Sequence, residues 1–312
     1  MQVLTQAVST WIKDFEAMTS IKRKTNCLMP TELTLTQDFN ALGIERGDTV
    51  LIRAAIRPVG CVNNGAATVL SALLSAVGDE GTIVSLSFTG ASFIRKPKPQ
   101  EVFTRMTPTY AGALPQTMLE HPKSSRSKHP MCSYVAIGKN AEFITKDHGP
   151  QSPAYEPIRK IIELQGKMIL VGCVSSSPGF TTTHLAEYDL GLLNRIIFPW
   201  LSSVYYLDDQ GQRKLFRRRD AGLCSPSFYK FYSYYVRAGI LRAGLVGDAY
   251  SIAVPAQEAY NIEKQILSGN PRFSVCDNPY CLTCNVRRWD RIYRMPFSIL
   301  KILFRKYINR KK

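Results

Sequence analysis

Several features are scarce in this chain, and each scarcity removes a class of protein. No segment of its 312 residues approaches the ~18 consecutive apolar positions that cross a bilayer. The opening stretch MQVLTQAVSTWIKDFEAM lacks the basic start, continuous apolar core and small-residue cleavage site of a secretory signal. The chain therefore reads as cytoplasmic. Eight cysteines are too few for a disulfide scaffold, and a reducing compartment keeps them as thiols. There is no Gly-x-Ser-x-Gly elbow, no His-Glu-x-x-His and no phosphate loop ending in Gly-Lys-Ser/Thr. Histidine is rare, with four in all, so each one can be weighed singly.

Acidic residues are also short, 24 against 40 lysines and arginines, which leaves a formal charge of +16. Such a balance bears on partners rather than on fold. From Asn285 onward ten bases (Arg287, Arg288, Arg291, Arg294, Lys301, Arg305, Lys306, Arg310, Lys311 and Lys312) face a single acid, Asp290. The remaining composition, 45% apolar and 21% charged, is that of a globular chain with ample surface to bury.

Residues 1–30 read as a helical leader. TLTQDFNALGI follows as a short helix with Thr36 as its N-cap. GDTVLIRAAI is a strand. NNGAATVLSALLSAVGDEG is a turn and then a helix, with apolar positions at Val69, Leu70, Leu73, Leu74 and Val77 and a stop at Gly78; TIVSLSF is a second strand. This β-turn-α-β unit points to parallel strands with a covering helix. Residues 95–126 are irregular apart from a helical piece at Ala113–Glu120. CSYVAIG and KMILVGCV are strands, NAEFITKDH and IRKIIELQG helices, and SSVYYLDD is strand-like. The fold class is α/β: a mixed central sheet covered by helices on both faces, with a smaller β-rich region inserted after residue 195 and a basic C-terminal extension. We divide the chain into a domain at 1–275 and an extension at 276–312.

The chemistry concentrates in TTTHLAEYDLG, residues 181–191, just past a strand. His184 and Glu187 are three apart, so a helix puts both on one face. A carboxylate beside an imidazole holds one tautomer and favours the cation formed when the ring takes a proton, which equips a general base. A structural histidine with a solvated glutamate has the same spacing. His129 lies in the irregular RSKHP, and Asp147 and His148 lie at a helix end, where a histidine can simply cap carbonyls. Cys276-x₄-Cys281-x₂-Cys284 offers three thiols, whereas tetrahedral zinc wants four. The fourth would have to come from afar, Cys224 being the candidate, and free thiols in a turn are the preferred reading over zinc. A helix after Pro296 would be basic and amphipathic, suited either to docking on the protein or to lying on an anionic membrane.

Taken in order, LGIERGDTVLIRAAIRPVG, NNGAATVLSALLSAVGDEGTIV, SFTG, FTRMTPTYAGALP, RSKHPMCSYVAIGKNAEFITKDHG, SPAYEPIRKIIELQGKMILVG and TTTHLAE resemble the aminoglycoside 3-N-acetyltransferase family from about Leu33 to Gly191. The resemblance implies direct acetyl transfer from acetyl-CoA to an amine, without a metal. It implies that His184 sits between thioester and acceptor with Glu187 supporting it. It makes Ile56, Arg57, Gly60, Val62, Gly65, Thr68, Ser87, Thr89 and Thr107 cofactor-side candidates, and His129, Asp147 and His148 candidates for the acceptor side. Arg53-Ala54-Ala55-Ile56 replaces the family's usual His-Ser-Ser-Leu, which removes a hydroxyl donor, and Gln116 replaces an acidic residue. Aminoglycosides are polycations, a poor match to a +16 protein. The favoured function is N-acetylation of an amino sugar in bacterial surface-polysaccharide synthesis. The alternatives are an aminoglycoside-modifying resistance enzyme and a non-catalytic basic protein bound to membrane or nucleic acid. No nucleic-acid reading motif is present. The oligomer is a monomer or a homodimer.

Overall fold

The structure is a computed structural model that describes residues 29–93, 96–195, 202–218, 220, 224–281, 284–285 and isolated positions between 293 and 304. The helical leader of residues 1–28 and most of the basic tail lie outside the described residues.

Eleven strands and eight α-helices are described. The strands are β1 (Thr49–Ala54), β2 (Thr82–Leu86), β3 (Ser92–Phe93), β4 (Val102–Phe103), β5 (Ser125–Arg126), β6 (Tyr134–Gly138), β7 (Lys167–Val171), β8 (Ser202–Leu207), β9 (Arg213–Arg217), β10 (Arg242–Val246) and β11 (Ala249–Pro255). The helices are α1 (Glu32–Ala41), α2 (Ala66–Val77), α3 (Ala113–Glu120), α4 (Ala141–Thr145), α5 (Pro157–Glu163), α6 (Thr182–Asp189), α7 (Tyr232–Arg237) and α8 (Ala256–Gly269).

The main sheet runs β10-β11-β7-β1-β2-β6-β5. Its middle, β7-β1-β2, is parallel, and the outer strands are antiparallel. The mixed α/β sheet expected from the sequence is the one found. Alternation along the strands feeds two cores. Val50, Ile52, Ile83, Val135, Ile137, Ile169 and Val171 face Leu35, Phe39, Val69, Leu73, Leu114 and Met118 of α1–α3. Their neighbours Leu51, Val84, Tyr134, Ala136, Met168 and Leu170 face Ile144, Ile158, Ile161, Leu185, Ala186 and Leu267 of α4–α6 and α8. Burial on both faces is why these strands read as continuous apolar runs rather than as polar–apolar alternation.

Three sequence expectations are corrected. The first helix starts at Glu32 and is capped by Thr31, whose hydroxyl accepts from Thr34 N at 3.3 Å. Thr36 lies inside that helix, and its hydroxyl donates to Glu32 O at 2.8 Å. The small β-region does not belong to the segment after residue 195 alone. Its central strand β8 pairs with β9 but also with β3, just before the stretch 95–126 read as irregular, and with β4 inside that stretch. Two-residue strands carry too little periodicity to be seen in a sequence.

The third correction concerns His129 and His148, read as acceptor-side residues. They are buried and stacked on each other with ring centroids 4.9 Å apart. His129 Nδ1 accepts from Cys132 N at 2.9 Å and Met131 N at 3.3 Å, which fixes a neutral ring. His148 bonds the Ser127 hydroxyl at 2.9 Å and Pro153 O at 3.1 Å. Asp147 is exposed and paired with Lys160 Nζ at 2.8 Å. These residues cement the loops around β5 and β6.

Burial pushes the His148 imidazole down to about 3, and burial together with the neighbouring His148 and Arg218 holds His129 well below its ordinary value. The unfolded chain therefore takes up these protons first, near pH 6.5. The stability contributed by each buried neutral ring is complete above that pH and is lost as pH falls, for His148 as it falls toward 3. Between pH 7 and 5 wild type should lose about 2 kcal/mol through His148 that His148→Gln does not lose. Urea unfolding of both proteins across that range measures the difference, and parallel pH profiles would refute it.

Candidate active site

The carboxyl ends of the parallel strands β1, β2 and β7 open into a cavity of about 530 Å³, the place where α/β sheets bind ligands. Its wall includes Arg53 and Ala54 of β1, Leu86 of β2, Phe88 just beyond it, and Cys173 just after β7. His184 lines it from α6, with Tyr155 and Phe228 on either side and Arg218 from the end of the β9 segment.

The structure brings His184 and Glu187 together. Their three-residue spacing on α6 puts Nδ1 of His184 3.0 Å from Oε2 of Glu187. The His184 side chain is 13% exposed and that of Glu187 is 0% exposed, so the pair works in a dry setting, and the cavity side of the imidazole is left to Nε2. The second carboxylate oxygen is also occupied: Ser274 Oγ donates to Glu187 Oε1 at 2.6 Å. Tyr155 stacks on the imidazole at 4.9 Å and 28°, and Phe228 meets it edge-on at 4.9 Å. The ring is thereby held in one tautomer and one plane: Nδ1–H on the carboxylate, Nε2 open to accept a proton.

A second buried carboxyl lies under the same helix. Glu263 Oε1 accepts from Thr182 Oγ1 at 3.0 Å and Thr183 Oγ1 at 2.7 Å, and also from the Tyr235 hydroxyl. Burial pushes Glu263 up to about 8, so it is largely protonated at neutral pH. It anchors the start of α6 without placing a second full negative charge beside Glu187. Glu263 shares the buried face of α8 with Ala256, Ala259 and Leu267. A carboxylate at a buried helical position was the one sequence signal that could have singled it out.

The loop from β7 to α6 is clamped on both sides. Arg53 donates to Gly179 O at 2.7 Å and to Ser177 O at 2.9 Å, and also meets the Ser177 hydroxyl. Tyr232 donates its hydroxyl to Val174 O at 3.0 Å and accepts from Gly179 N at 2.7 Å. Gly179 has φ +82°, and a Cβ there would lie 2.1 Å from Phe228 Cβ, so only glycine allows the loop to press against the ring that abuts His184. Arg53, at the position of the family's usual histidine, thus clamps the loop that delivers His184, while Ala54 and Ala55 stand where the hydroxyls would be. Its role, like those of Tyr155, Phe228, Ser274 and Arg218, was not readable from the sequence, because each partner comes from a distant segment.

The cofactor-side candidates fall into two groups. Ile56, Arg57, Gly60, Val62 and Gly65 lie in the segment between β1 and α2 and Thr68 in the first turn of α2, with Arg57 exposed and Gly60 and Gly65 at positive φ. Ser87, Thr89 and Thr107 instead satisfy the protein itself. Ser87 Oγ and Ser133 Oγ lie 3.0 Å apart, Thr89 donates to Pro130 O at 2.6 Å, and Thr107 Oγ1 accepts from Thr104 N at 2.8 Å. Extended backbone after β2 turns Leu86 and Phe88 to the cavity, while Ser87 and Thr89 are buried and bonded within the protein. Gln116 accepts from Thr109 N at 3.2 Å and donates to Glu120 at 2.8 Å, a loop-holding role. Cys276, Cys281 and Cys284, read as thiols in a turn, converge with Cys224, all four sulfurs lying within 4.8 Å of one another.

Comparison with known proteins extends the resemblance beyond Gly191. The sequence profile of the aminoglycoside 3-N-acetyltransferase family matches residues 51–268, which takes in β10, β11 and α8. Aminoglycoside N(3)-acetyltransferase III of Serratia marcescens is 33% identical over 255 residues, spanning 74% of this chain and 94% of the relative. The SPbeta prophage-derived aminoglycoside N(3')-acetyltransferase-like protein YokD of Bacillus subtilis is 31% identical over 182 residues, 51% of this chain and 65% of the relative. The solved structure of AAC-IIIb in binary complex with CoASH superposes with a TM-score of 0.66 at 27% identity, covering 77% of this chain and 97% of that one. The chain belongs to the aminoglycoside 3-N-acetyltransferase family, and its enzyme class is that of an acetyl-CoA-dependent N-acetyltransferase.

Proposed function

We propose that this enzyme acetylates an amine of an aminoglycoside-type amino sugar, with His184 as the general base. The observation that carries the reading is the cavity-facing imidazole whose Nδ1 is fixed on the buried Glu187 carboxylate. The acceptor class follows the 33%-identical relative, an aminoglycoside N(3)-acetyltransferase, in preference to the surface-polysaccharide role favoured from charge alone.

Acetyl-CoA supplies an activated acetyl thioester. The loop of Ile56, Arg57, Gly60, Val62 and Gly65, with Thr68 in the first turn of α2, suits its pyrophosphate, because Arg57 is exposed and open space surrounds Gly65 at the N-cap of α2. His184 Nε2 takes the proton that the acceptor nitrogen loses on bonding to the acetyl carbon, and returns it to the sulfur from which the acetyl departs. Glu187 stabilises the imidazolium between those two transfers, and Ser274 keeps the carboxylate aimed.

One observation favours a second acceptor class. Among the described residues the cavity is lined by two guanidiniums, Arg53 and Arg218, and by no carboxylate. Arg218 Nε is buried without a hydrogen-bond partner among them. An amino sugar carrying phosphate or carboxylate would pair with it, whereas a polycation would be repelled.

The exposed apolar side chains Phe297, Leu300, Leu303 and Phe304, interleaved in sequence with Lys301, Arg305 and Lys306, support a tail that rests on an anionic membrane.

Three outcomes are expected. His184→Ala should lower turnover about 10²–10⁴-fold while calorimetry shows near-unchanged acetyl-CoA affinity, and Glu187→Gln should cost less. Near-normal turnover in His184→Ala would remove the base role. Thiol release measured against a panel of acceptors should show saturation with an aminoglycoside; activity confined to anionic, nucleotide-linked amino sugars, and weakened in Arg218→Ala, would instead establish the second class. A chain truncated after Asn285 should stay folded and lose the binding to anionic liposomes that the full chain shows at low salt; indifference of the full chain to such liposomes would refute the membrane role.

A further inference from the structure

We propose that Cys224, Cys276, Cys281 and Cys284 bind a single zinc ion that ties the segment after α8 to the back of the active site. The four sulfurs lie within 4.8 Å of one another, and those of Cys224 and Cys281 are 3.6 Å apart. A zinc ion with four sulfurs at about 2.3 Å places them about 3.8 Å apart along each tetrahedral edge. A disulfide would need a pair near 2.05 Å, and none of these cysteines is bridged. An iron–sulfur cluster spreads its thiolates around several metal atoms, too wide for this grouping. One ion inside one tetrahedron is what the spacing fits.

The surroundings have the form of a built site. Cys276 and Cys284 are 4% and 2% exposed, and Val275 packs with them, so a thiolate pair here is shielded from solvent. The residues around the sulfurs are tied together: Cys281 N donates to Asn278 O at 3.1 Å and Asn285 N to Cys281 O at 2.9 Å. Asn285 Nδ2 donates to Pro279 O at 2.9 Å. Four thiolates around a divalent ion leave two negative charges. Lys230 sits beside the site, donating to Val275 O at 3.3 Å and Asp277 Oδ1 at 2.8 Å.

The ligands come from two segments that both reach the catalytic pair. Cys224 precedes Ser225 and Phe228, which line the cavity, and Phe228 abuts the His184 ring. Cys276 follows Ser274, which holds Glu187. Ser227 donates to Ser274 O at 2.5 Å, so the segments already touch between the metal and the carboxylate. Bound zinc therefore positions Ser274 on Glu187 and Phe228 on His184, while remaining outside the reaction itself.

The test is made on full-length protein purified without metal-affinity resin. Elemental analysis should give one zinc per chain, and stepwise titration of the thiols with an organomercurial should release it once four have reacted. Protein from cells grown with cobalt should show the intense visible bands of a tetrahedral tetrathiolate. Cys281→Ser should lose the metal, whereas Cys61→Ser, which alters an exposed cysteine elsewhere, should keep it. Metal-free wild type with reactive thiols, a mass deficit from disulfides, or iron in place of zinc would each overturn the proposal. The metal content is read on wild type, so poor folding of a variant leaves the test intact, and it does not depend on which acceptor the enzyme acetylates.

Discussion

Burial of the β7-β1-β2 strands on both faces is the constraint on which this molecule depends. Strands with apolar side chains on both sides cannot face water, so one set of helices must cover one face and another set the other. Once both faces are covered, ligands can enter only at the strand ends. At the carboxyl end β1 presents Arg53, and the chain leaves β2 and β7 as loops that supply Phe88 and the β7–α6 turn that leads to His184. The packing thus decides where polar chemistry is allowed.

Within that opening, the His184–Glu187 pair is organised by successive layers of contact. Glu187 is fully buried, which would be costly for a carboxylate without partners. Its two oxygens are taken by His184 and Ser274, so its charge is delivered to the imidazole rather than to solvent. Glu263 lies nearby but is kept largely neutral by burial, and it pins two threonines at the first turn of α6. One buried carboxyl orients the His184 imidazole while the other fixes the helix that carries it. Glu187 faces an imidazole and a hydroxyl, Glu263 only hydroxyls.

Net charge and local charge need separate treatment. The strong positive balance includes +9 from residues after Asn285, far along the chain from the cavity lining. A basic tail therefore says little about the acceptor pocket. What bears on the acceptor is the pair Arg53 and Arg218 in the cavity wall, and of these Arg53 already spends its donors on the loop carbonyls. Arg218 is the other guanidinium of that wall, and its Nε has no hydrogen-bond partner among the described residues.

The sequence alone determined the elements with a strong local pattern: β1, α2, β2, α3, β6 and β7 lie where apolar runs, helical spacing and glycine stops place them. It also determined the His184–Glu187 pair, because three residues on a helix is a local relation that needs no knowledge of the rest of the chain. Tertiary structure decided everything that depends on distant partners. His129 and His148 look as reactive as His184 in one dimension, yet stacking within the core takes them out of reach of the cavity. Ser87 and Thr89 carry the right hydroxyls but bond inward, because the strand's alternation gives the cavity to Leu86 and Phe88. Cys224 lies 52 residues before Cys276 in sequence, yet only the folded chain sets its sulfur among the other three. Spacing along a chain fixes neighbours within a turn or two; which distant groups share a site is fixed only when the two cores close on the sheet.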